Sequence, residues 1–274
     1  AENTASGDTV AIKVLLPHLS RDPQFIELLR REQKLLHDVI HPAVVRYYQL
    51  QRTEAFGGLY FLVMEFIEGS PLDAVMSESG PVPPATLVRI ARSILPGLQR
   101  CHAEEIFHRD ISPDNIILRD GNPDCATLID FGIAKDVRPD AKTVVGGGFA
   151  GKYEYAAPEQ LVGHSDGRSD LYSLGATLLA AARGTPPKGE AVAASKRAVL
   201  DTTGLPEPLA SLIAALGHPV PEERMQTATA ALASLPDASM DPPEQEMLAP
   251  VPPAGTVDPF AVATPPTPPS AAPM

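Results

Sequence analysis

The sequence contains no tryptophan, only two cysteines, and far fewer basic than acidic residues. Cys101 and Cys125 have no second pair nearby. Neither a disulfide framework nor a zinc site is expected. The two cysteines are interpreted as reduced thiols of a cytoplasmic domain. With 22 Lys and Arg against 34 Asp and Glu, the formal charge is −12. That charge disfavours a protein held on nucleic acid or anionic lipid by its net field.

Long apolar segments are also lacking. The longest strongly apolar run, Leu171–Ala182, has 12 residues and includes Ser173, so it is too short to span a bilayer. No membrane span is expected in the chain, although one beyond residue 274 stays open. The N-terminus has no basic region followed by an apolar stretch, so no secretory signal is predicted. Because the sequence does not begin with methionine, a fragment or a processed form is expected.

Proline, in contrast, is abundant and unevenly distributed. Twelve of the 30 prolines lie in Pro236–Met274, together with five acidic residues and no Lys or Arg. A segment of this composition cannot build a core, which predicts a disordered linker or tail over 236–274 after a body of 235 residues. Pro265–Pro269 also fits a polyproline II ligand.

Hydrophobic patterning divides the body into two parts. Residues 1–67 read as a strand at Thr9–Leu16, a helix opening at Asp22-Pro23, and strands at Val44–Leu50 and Leu59–Ile67. Residues 68–235 become helical, with helices predicted near 87–101, 169–183, 209–216 and 227–235. This order predicts an α+β fold with a small β-rich lobe and a larger helical lobe.

Two charged residues of the small lobe suggest an ion pair. Glu32 lies on the apolar face of its helix, and an unpaired buried carboxylate is costly. The only cation in the preceding strand is Lys13. A lysine held in this way could reach the phosphates of a nucleotide, although either residue alone also fits a solvated or edge position.

The middle of the chain adds a second group of polar residues. His108-Arg109-Asp110 is followed by Asn115 and then by Asp130-Phe131-Gly132. Two acids and an amide on loops at the ends of short strands could form an oxygen-ligand set for Mg²⁺.

The ordered series of motifs is more specific than any one of them. VAIK (Val10–Lys13), HRDISPDN (His108–Asn115), DFG (Asp130–Gly132), APE (Ala157–Glu159) and SDLYSLG (Ser169–Gly175) follow one another in this order. The series resembles the signature set of protein kinases, and its spelling is most similar to bacterial Hanks-type serine/threonine kinases. The resemblance runs from residue 1 to about 235. It implies a two-lobed kinase fold, ATP and Mg²⁺ as cofactors, and protein substrates.

The resemblance also implies roles for individual residues. Lys13 would hold the α- and β-phosphates and pair with Glu32. Asp110 would orient the substrate hydroxyl and accept its proton, while Asn115 and Asp130 would bind Mg²⁺.

Further roles concern the adenine and the scaffold. Met64 resembles the gatekeeper, Glu65-Phe66-Ile67 the hinge whose backbone meets the adenine, and Ala11 and Ile117 the residues on either side of the ring. A stacked hydrophobic spine is expected from four residues, Leu36, Tyr47, His108 and Phe131. Asp170 would anchor His108. Glu159 would form a structural ion pair with Arg224.

The sequence departs from the family pattern at its start. Kinases carry a glycine-rich loop on two strands before VAIK, but only 12 residues precede Lys13 here. Either roughly 20–30 residues are absent by truncation or the chain is a pseudokinase without the loop. Without the loop, the chain as given is expected to bind ATP poorly and to be weakly active or inactive.

A second departure concerns the catalytic loop. Ser112 stands where serine/threonine kinases usually place Lys, and Lys152 stands where they usually place Thr. The Lys152 ammonium could supply the missing charge beside Asp110. Alternatively, it points to solvent and Ser112 weakens the enzyme.

Thr143 is the only serine or threonine between Asp130 and Glu159. It is therefore a candidate regulatory phosphorylation site opposite Arg109, unless the neighbouring basic residues meet acidic groups instead. The leading hypothesis is a protein serine/threonine kinase, and the alternative is a pseudokinase scaffold. A small-molecule kinase is disfavoured by the APE motif.

Overall fold

The computed structural model describes residues 1–4, 7–54, 57–132, 153–186 and 198–236. Its strands are β1 Val10–Val14, β2 Tyr47–Thr53, β3 Leu59–Glu65, β4 Gly69–Pro71, β5 Ile116–Arg119 and β6 Ala126–Leu128. Its helices are α1 Pro17–Ser20, α2 Pro23–Asp38, α3 Leu72–Ser79, α4 Pro84–His102, α5 Gly167–Arg183, α6 Leu209–Leu216 and α7 Ala228–Ala233.

The first three strands form an antiparallel sheet in the order β1-β3-β2, and α2 packs against β2. Asp22 caps α2 because its carboxylate accepts the backbone N–H groups of Gln24 and Phe25 at 3.0 and 3.2 Å. The register places Ala11 opposite Met64 and Lys13 opposite Leu62. Lys13 therefore sits on an edge strand of this sheet.

Strand β2 begins three residues later than the sequence predicts. Val44 and Val45 belong to a loop that pairs with the other lobe, because the Val45 N–H donates to Leu128 O at 2.9 Å. The Leu128 N–H in turn donates to Ala43 O at 2.9 Å. Gly97 of α4 allows this approach, since a Cβ there would lie 3.0 Å from the Ala43 Cβ.

The larger lobe is built on two buried helices and a small sheet. Residues 169–181 of α5 are all buried, and α4 packs against α5, α6 and α7. The sheet has the order β4-β5-β6. It requires glycine at position 69, where φ is +151° and a Cβ would lie 2.2 Å from Leu118 O. The predicted metal ligand Asn115 directly precedes β5 of this sheet, and the other, Asp130, follows β6.

The predicted α+β fold with a β-rich and a helical lobe is confirmed. Its helical core groups apolar residues of α3 to α7, whereas a second core joins α2 and the first sheet to Phe131 and Ile106. Within the described ranges no helix combines the length and the hydropathy needed to cross a bilayer.

Candidate active site

His108 occupies the centre of the loop between α4 and β5 and is fully buried. Its Nε2 lies 2.9 Å from Ile129 O, and its Nδ1 lies 3.3 Å from the backbone nitrogen of Asp110. The neutral ring with its proton on Nε2 satisfies both partners. Burial lowers the pKa of His108, which favours this neutral form.

Asp170, on α5, fixes the backbone of the same loop. Its two carboxylate oxygens accept the N–H groups of His108 and Arg109, each at 2.8 Å, and His102 Nε2 lies 2.9 Å from one of them. Burial would raise the pKa of Asp170, but these hydrogen bonds and the nearby histidines together outweigh it and hold that pKa below its usual range. The charged carboxylate holds Arg109 at a positive φ of 63°.

Asp110 and Asn115 are held together by a side-chain contact. The Asn115 amide donates through Nδ2 to the backbone carbonyl of Asp110 at 2.7 Å. This contact fixes Asn115 with its Oδ1 as the atom capable of binding a cation. Ser112 is also buried, and its hydroxyl donates to the Asp114 carboxylate at 2.6 Å.

The Asp130-Phe131-Gly132 segment closes the site from the side of β6. The Phe131 ring lies 4.4 Å from the His108 ring and 6.3 Å from the Tyr47 ring, edge-on to the latter. The Phe131 N–H donates to the Tyr47 hydroxyl at 3.2 Å, and Leu36 is buried in the same core. The four residues predicted to form a spine are thus brought together.

The predicted ion pair between Lys13 and Glu32 is replaced by two others. The Lys13 ammonium contacts the Asp130 carboxylate, and Glu32 Oε1 lies 3.2 Å from a guanidinium nitrogen of Arg109. Glu32 and Arg109 are 18% and 17% exposed, whereas Lys13 is 49% exposed. Lys13 is the only cation of the preceding strand, but the fixed loop backbone brings Arg109 to Glu32 from 77 positions further along the chain.

Four of the residues predicted to meet the adenine gather at one apolar core. Ala11 and Ile117 are partly buried and pack against the same core, while Met64 and Ile67 are buried within it. Glu65 ends β3, and its backbone N–H donates to Arg46 O at 2.9 Å.

The expected pair of Glu159 and Arg224 is present, with distances of 2.7 and 3.1 Å. Burial would raise the pKa of Glu159, but hydrogen bonds from Arg224 and Ser169 help hold it below its usual range. No role was predicted for the next residue, Gln160, which donates to Arg109 O at 3.1 Å and accepts the Ala157 N–H at 2.8 Å. Only its position directly after APE could have suggested it.

Two predicted residues, Lys152 and Thr143, lie outside the described residues. Within the described part of the chain, no group of three or more His, Cys, Asp or Glu side chains is arranged as a metal site. The pair of Asn115 and Asp130 nevertheless fits Mg²⁺, which proteins often bind through one or two side chains together with phosphate oxygens and water.

The chain is similar to known proteins in both sequence and fold. The family model described as protein kinase domain matches residues 1–234. Serine/threonine-protein kinase PknB of Mycobacterium leprae is 36% identical over 180 residues, which cover 65% of this chain and 29% of that protein. Serine/threonine-protein kinase pkn2 of Myxococcus xanthus is 41% identical over 178 residues, or 64% of this chain and 21% of that protein. The chain therefore matches less than a third of the length of these relatives.

A crystal structure of Rad53 residues 1–466 in complex with AMP-PNP has a similar fold, with a TM-score of 0.66. The match covers 83% of this chain and 58% of that one at 24% sequence identity. At this identity the likeness shows the fold alone.

Proposed function

The chain belongs to the protein kinase family, and we propose that it transfers the γ-phosphate of ATP to serine and threonine hydroxyls of protein substrates. The observation that carries the proposal is the fixed geometry of Asp110. Its backbone is held by Asn115 and His108, and the preceding two residues are held by Asp170. The preference for serine and threonine is supported by the names of the relatives.

In the proposed reaction Asp110 accepts the proton of the substrate hydroxyl. The hydroxyl oxygen forms a bond to the γ-phosphorus, and the bond from that phosphorus to the β–γ bridging oxygen breaks, so that ADP leaves. Asn115 and Asp130 would hold Mg²⁺, which supplies charge neutralisation at the phosphates when it is bound.

Lys13 and Asp130 change partners in this proposal. The contact between them neutralises both side chains in the structure. When Asp130 takes a cation, its charge is compensated by the metal and the Lys13 ammonium is released toward the phosphates. The half-exposed position of Lys13 supports this exchange, because a mobile exposed ammonium re-pairs at little cost.

The adenine is proposed to lie between Ala11 and Ile117. Met64 would border its inner edge, and the backbone of Glu65 and Ile67 would supply its hydrogen bonds. The packing of Ala11 and Ile117 against the core that contains Met64 and Ile67 supports the assignment.

Regulation and organisation extend the proposal. A phosphate on Thr143 would compete with Glu32 for Arg109 and so loosen α2 from the loop that contains Arg109.

The catalytic unit comprises the lobes 1–67 and 68–235, and 236–274 serves as a linker. A cytoplasmic location and the absence of nucleic-acid binding stay predictions of the sequence.

Transfer of labelled γ-phosphate to casein tests the proposal. Asp110→Asn, which keeps the size of the side chain, should lower the rate by about a hundredfold or more at an unchanged melting temperature. Equal rates for the two proteins, or no transfer by the native protein in the presence of Mg-ATP, would contradict the proposed activity. Nucleotide binding without transfer would support the scaffold alternative instead.

A further inference from the structure

Arg119, at the end of β5, contacts two different segments with one guanidinium. Its Nη2 lies 2.7 Å from Glu65 Oε1, and its Nε donates to Thr127 Oγ1 at 3.2 Å. Arg119 and Glu65 are 28% and 27% exposed, so neither charge is fully in water. A partly desolvated pair with a second hydrogen bond is stronger than an exposed surface pair.

The partners of Arg119 are themselves tied to the loop before β2. Glu65 Oε2 accepts the Arg46 N–H at 3.3 Å, and the Glu65 N–H donates to Arg46 O at 2.9 Å. The Thr127 hydroxyl donates to Pro42 O at 3.1 Å. Arg119 therefore connects the two ends of the 42–46 loop through its two partners.

These contacts lie between two separate three-stranded sheets. Glu65 ends the sheet that carries Ala11 and Met64, while Arg119 and Thr127 belong to the sheet that carries Ile117. Asp130 follows two residues after the end of β6. The contacts of Arg119 thus help to set the spacing between the proposed adenine site and the proposed metal ligand, together with the backbone pairing of Val45 with Leu128.

We propose that Arg119 is a positioning residue for nucleotide binding, which acts by holding the Glu65 end of β3 against the hairpin that leads to Asp130. A nucleotide must meet the hinge with its base and Asp130 with its phosphates through the metal. Its affinity is therefore sensitive to the distance between these two places. This inference rests on the proposed function, because it names a residue that supports the same site.

Titration of the purified protein with Mg-ADP, followed by calorimetry, tests the inference. Arg119→Gln should weaken Mg-ADP binding about fivefold to tenfold, and Arg119→Lys should restore part of the loss. In casein phosphorylation Arg119→Gln should raise the KM for ATP by a similar factor. The kcat at saturating ATP should change less than about twofold.

A double-mutant cycle separates positioning from general destabilisation. The variant that combines Glu65→Gln with Arg119→Gln should bind Mg-ADP about as well as the weaker single variant, because both changes break one connection. Arg89→Gln is the matched control. It removes a similar pair between α4 and the turn that joins β5 to β6, where Arg89 Nε lies 2.9 Å from Asp124 Oδ1, and should leave Mg-ADP affinity unchanged.

Unchanged Mg-ADP affinity in Arg119→Gln, at an unchanged melting temperature, would overturn the inference while leaving the proposed function intact. A loss of affinity in Arg89→Gln equal to that in Arg119→Gln would also overturn it, because the effect would then be one of stability. If the native protein itself does not bind Mg-ADP, the proposed function fails and the inference fails with it.

Discussion

Glu32 and Arg109 form an ion pair at 3.2 Å although they lie 77 positions apart in the chain. The pair joins α2 to the loop that contains His108, Arg109 and Asp110. It gives Glu32 a cationic partner other than the predicted Lys13. It makes the position of α2 dependent on an arginine whose backbone is fixed by the helical lobe.

Breaking this pair should destabilise the protein. Glu32→Gln and Arg109→Gln are each expected to lower the free energy of unfolding by about 1–3 kcal/mol, and the double variant by less than their sum. Urea denaturation of the four proteins measures the coupling. The matched control is the exposed pair of Glu27 and Arg30 on the same helix, 3.9 Å apart, for which coupling below about 0.5 kcal/mol is expected. Equal coupling in both cycles would show that burial of the first pair has no effect.

Tyr47→Phe should loosen the segment that carries Asp130. The substitution removes the hydroxyl that accepts the buried Phe131 N–H, which is expected to cost about 1–3 kcal/mol of folding free energy. Tyr48→Phe is the natural control, because the neighbouring ring is exposed and a change within about 0.5 kcal/mol is expected. Urea midpoints that shift equally in the two variants would speak against the hydrogen bond.

His108 should make stability dependent on pH. Its folded pKa lies below the ordinary value of about 6.5, so the unfolded chain binds more protons once the pH drops below that value. The contribution of His108 is therefore complete above about pH 6.5 and declines as the pH falls toward the folded pKa. Melting temperatures between pH 7.5 and 5.5, roughly, should fall less steeply in His108→Phe than in the native protein. A native slope in His108→Phe would exclude this origin.

Glu159→Gln should be strongly destabilising. Arg224 is fully buried in its side chain, and the substitution would leave its guanidinium without a charged partner at Glu159. A loss of about 3 kcal/mol is expected. Glu222→Gln, which removes an exposed partner of Arg168, should change stability by less than about 1 kcal/mol. Differential scanning calorimetry compares the two, and similar melting points would contradict the prediction.

Lys152→Ala should lower kcat for phosphate transfer by about tenfold or more, with a small effect on the KM for ATP. The reason is that Ser112 is buried against Asp114 and supplies no positive charge beside Asp110. Lys142→Ala serves as the control in the same segment of sequence. An unchanged kcat in Lys152→Ala would reject the compensation of Ser112 by Lys152.

The predictable part of the molecule is the part written in local patterns. The hydrophobic pattern located the strands around Lys13 and Met64 and the buried helix that carries Asp170. The reason is that burial of one face of an element, or of all its faces, produces a recognisable order of apolar residues in the sequence. Asp170, Glu159 and Arg224 lie where the motif order placed them, since each stands in a segment of fixed geometry.

The features that could not be predicted depend on contacts between segments that are far apart in the sequence. The start of β2 shifted because Val45 pairs with Leu128, a residue of the other lobe. The choice of partners by Glu32 and Lys13 depended on Arg109 and Asp130, which approach from remote loops. Arg119 showed no signal at all, because a charged residue at the end of a short strand resembles any solvated one.

The burial of α5 also determines how the molecule exchanges amide hydrogens with solvent. Residues 169–181 are enclosed on every side, so their amides should exchange deuterium only through global unfolding, whereas those of the edge strand β1 should exchange through local opening. Asp170 belongs to the slow segment and holds the backbone of His108 and Arg109. The loop that carries Asp110 is therefore hydrogen-bonded to a helix that is expected to exchange slowly. Lys13, in contrast, approaches this loop from a strand that is expected to exchange quickly.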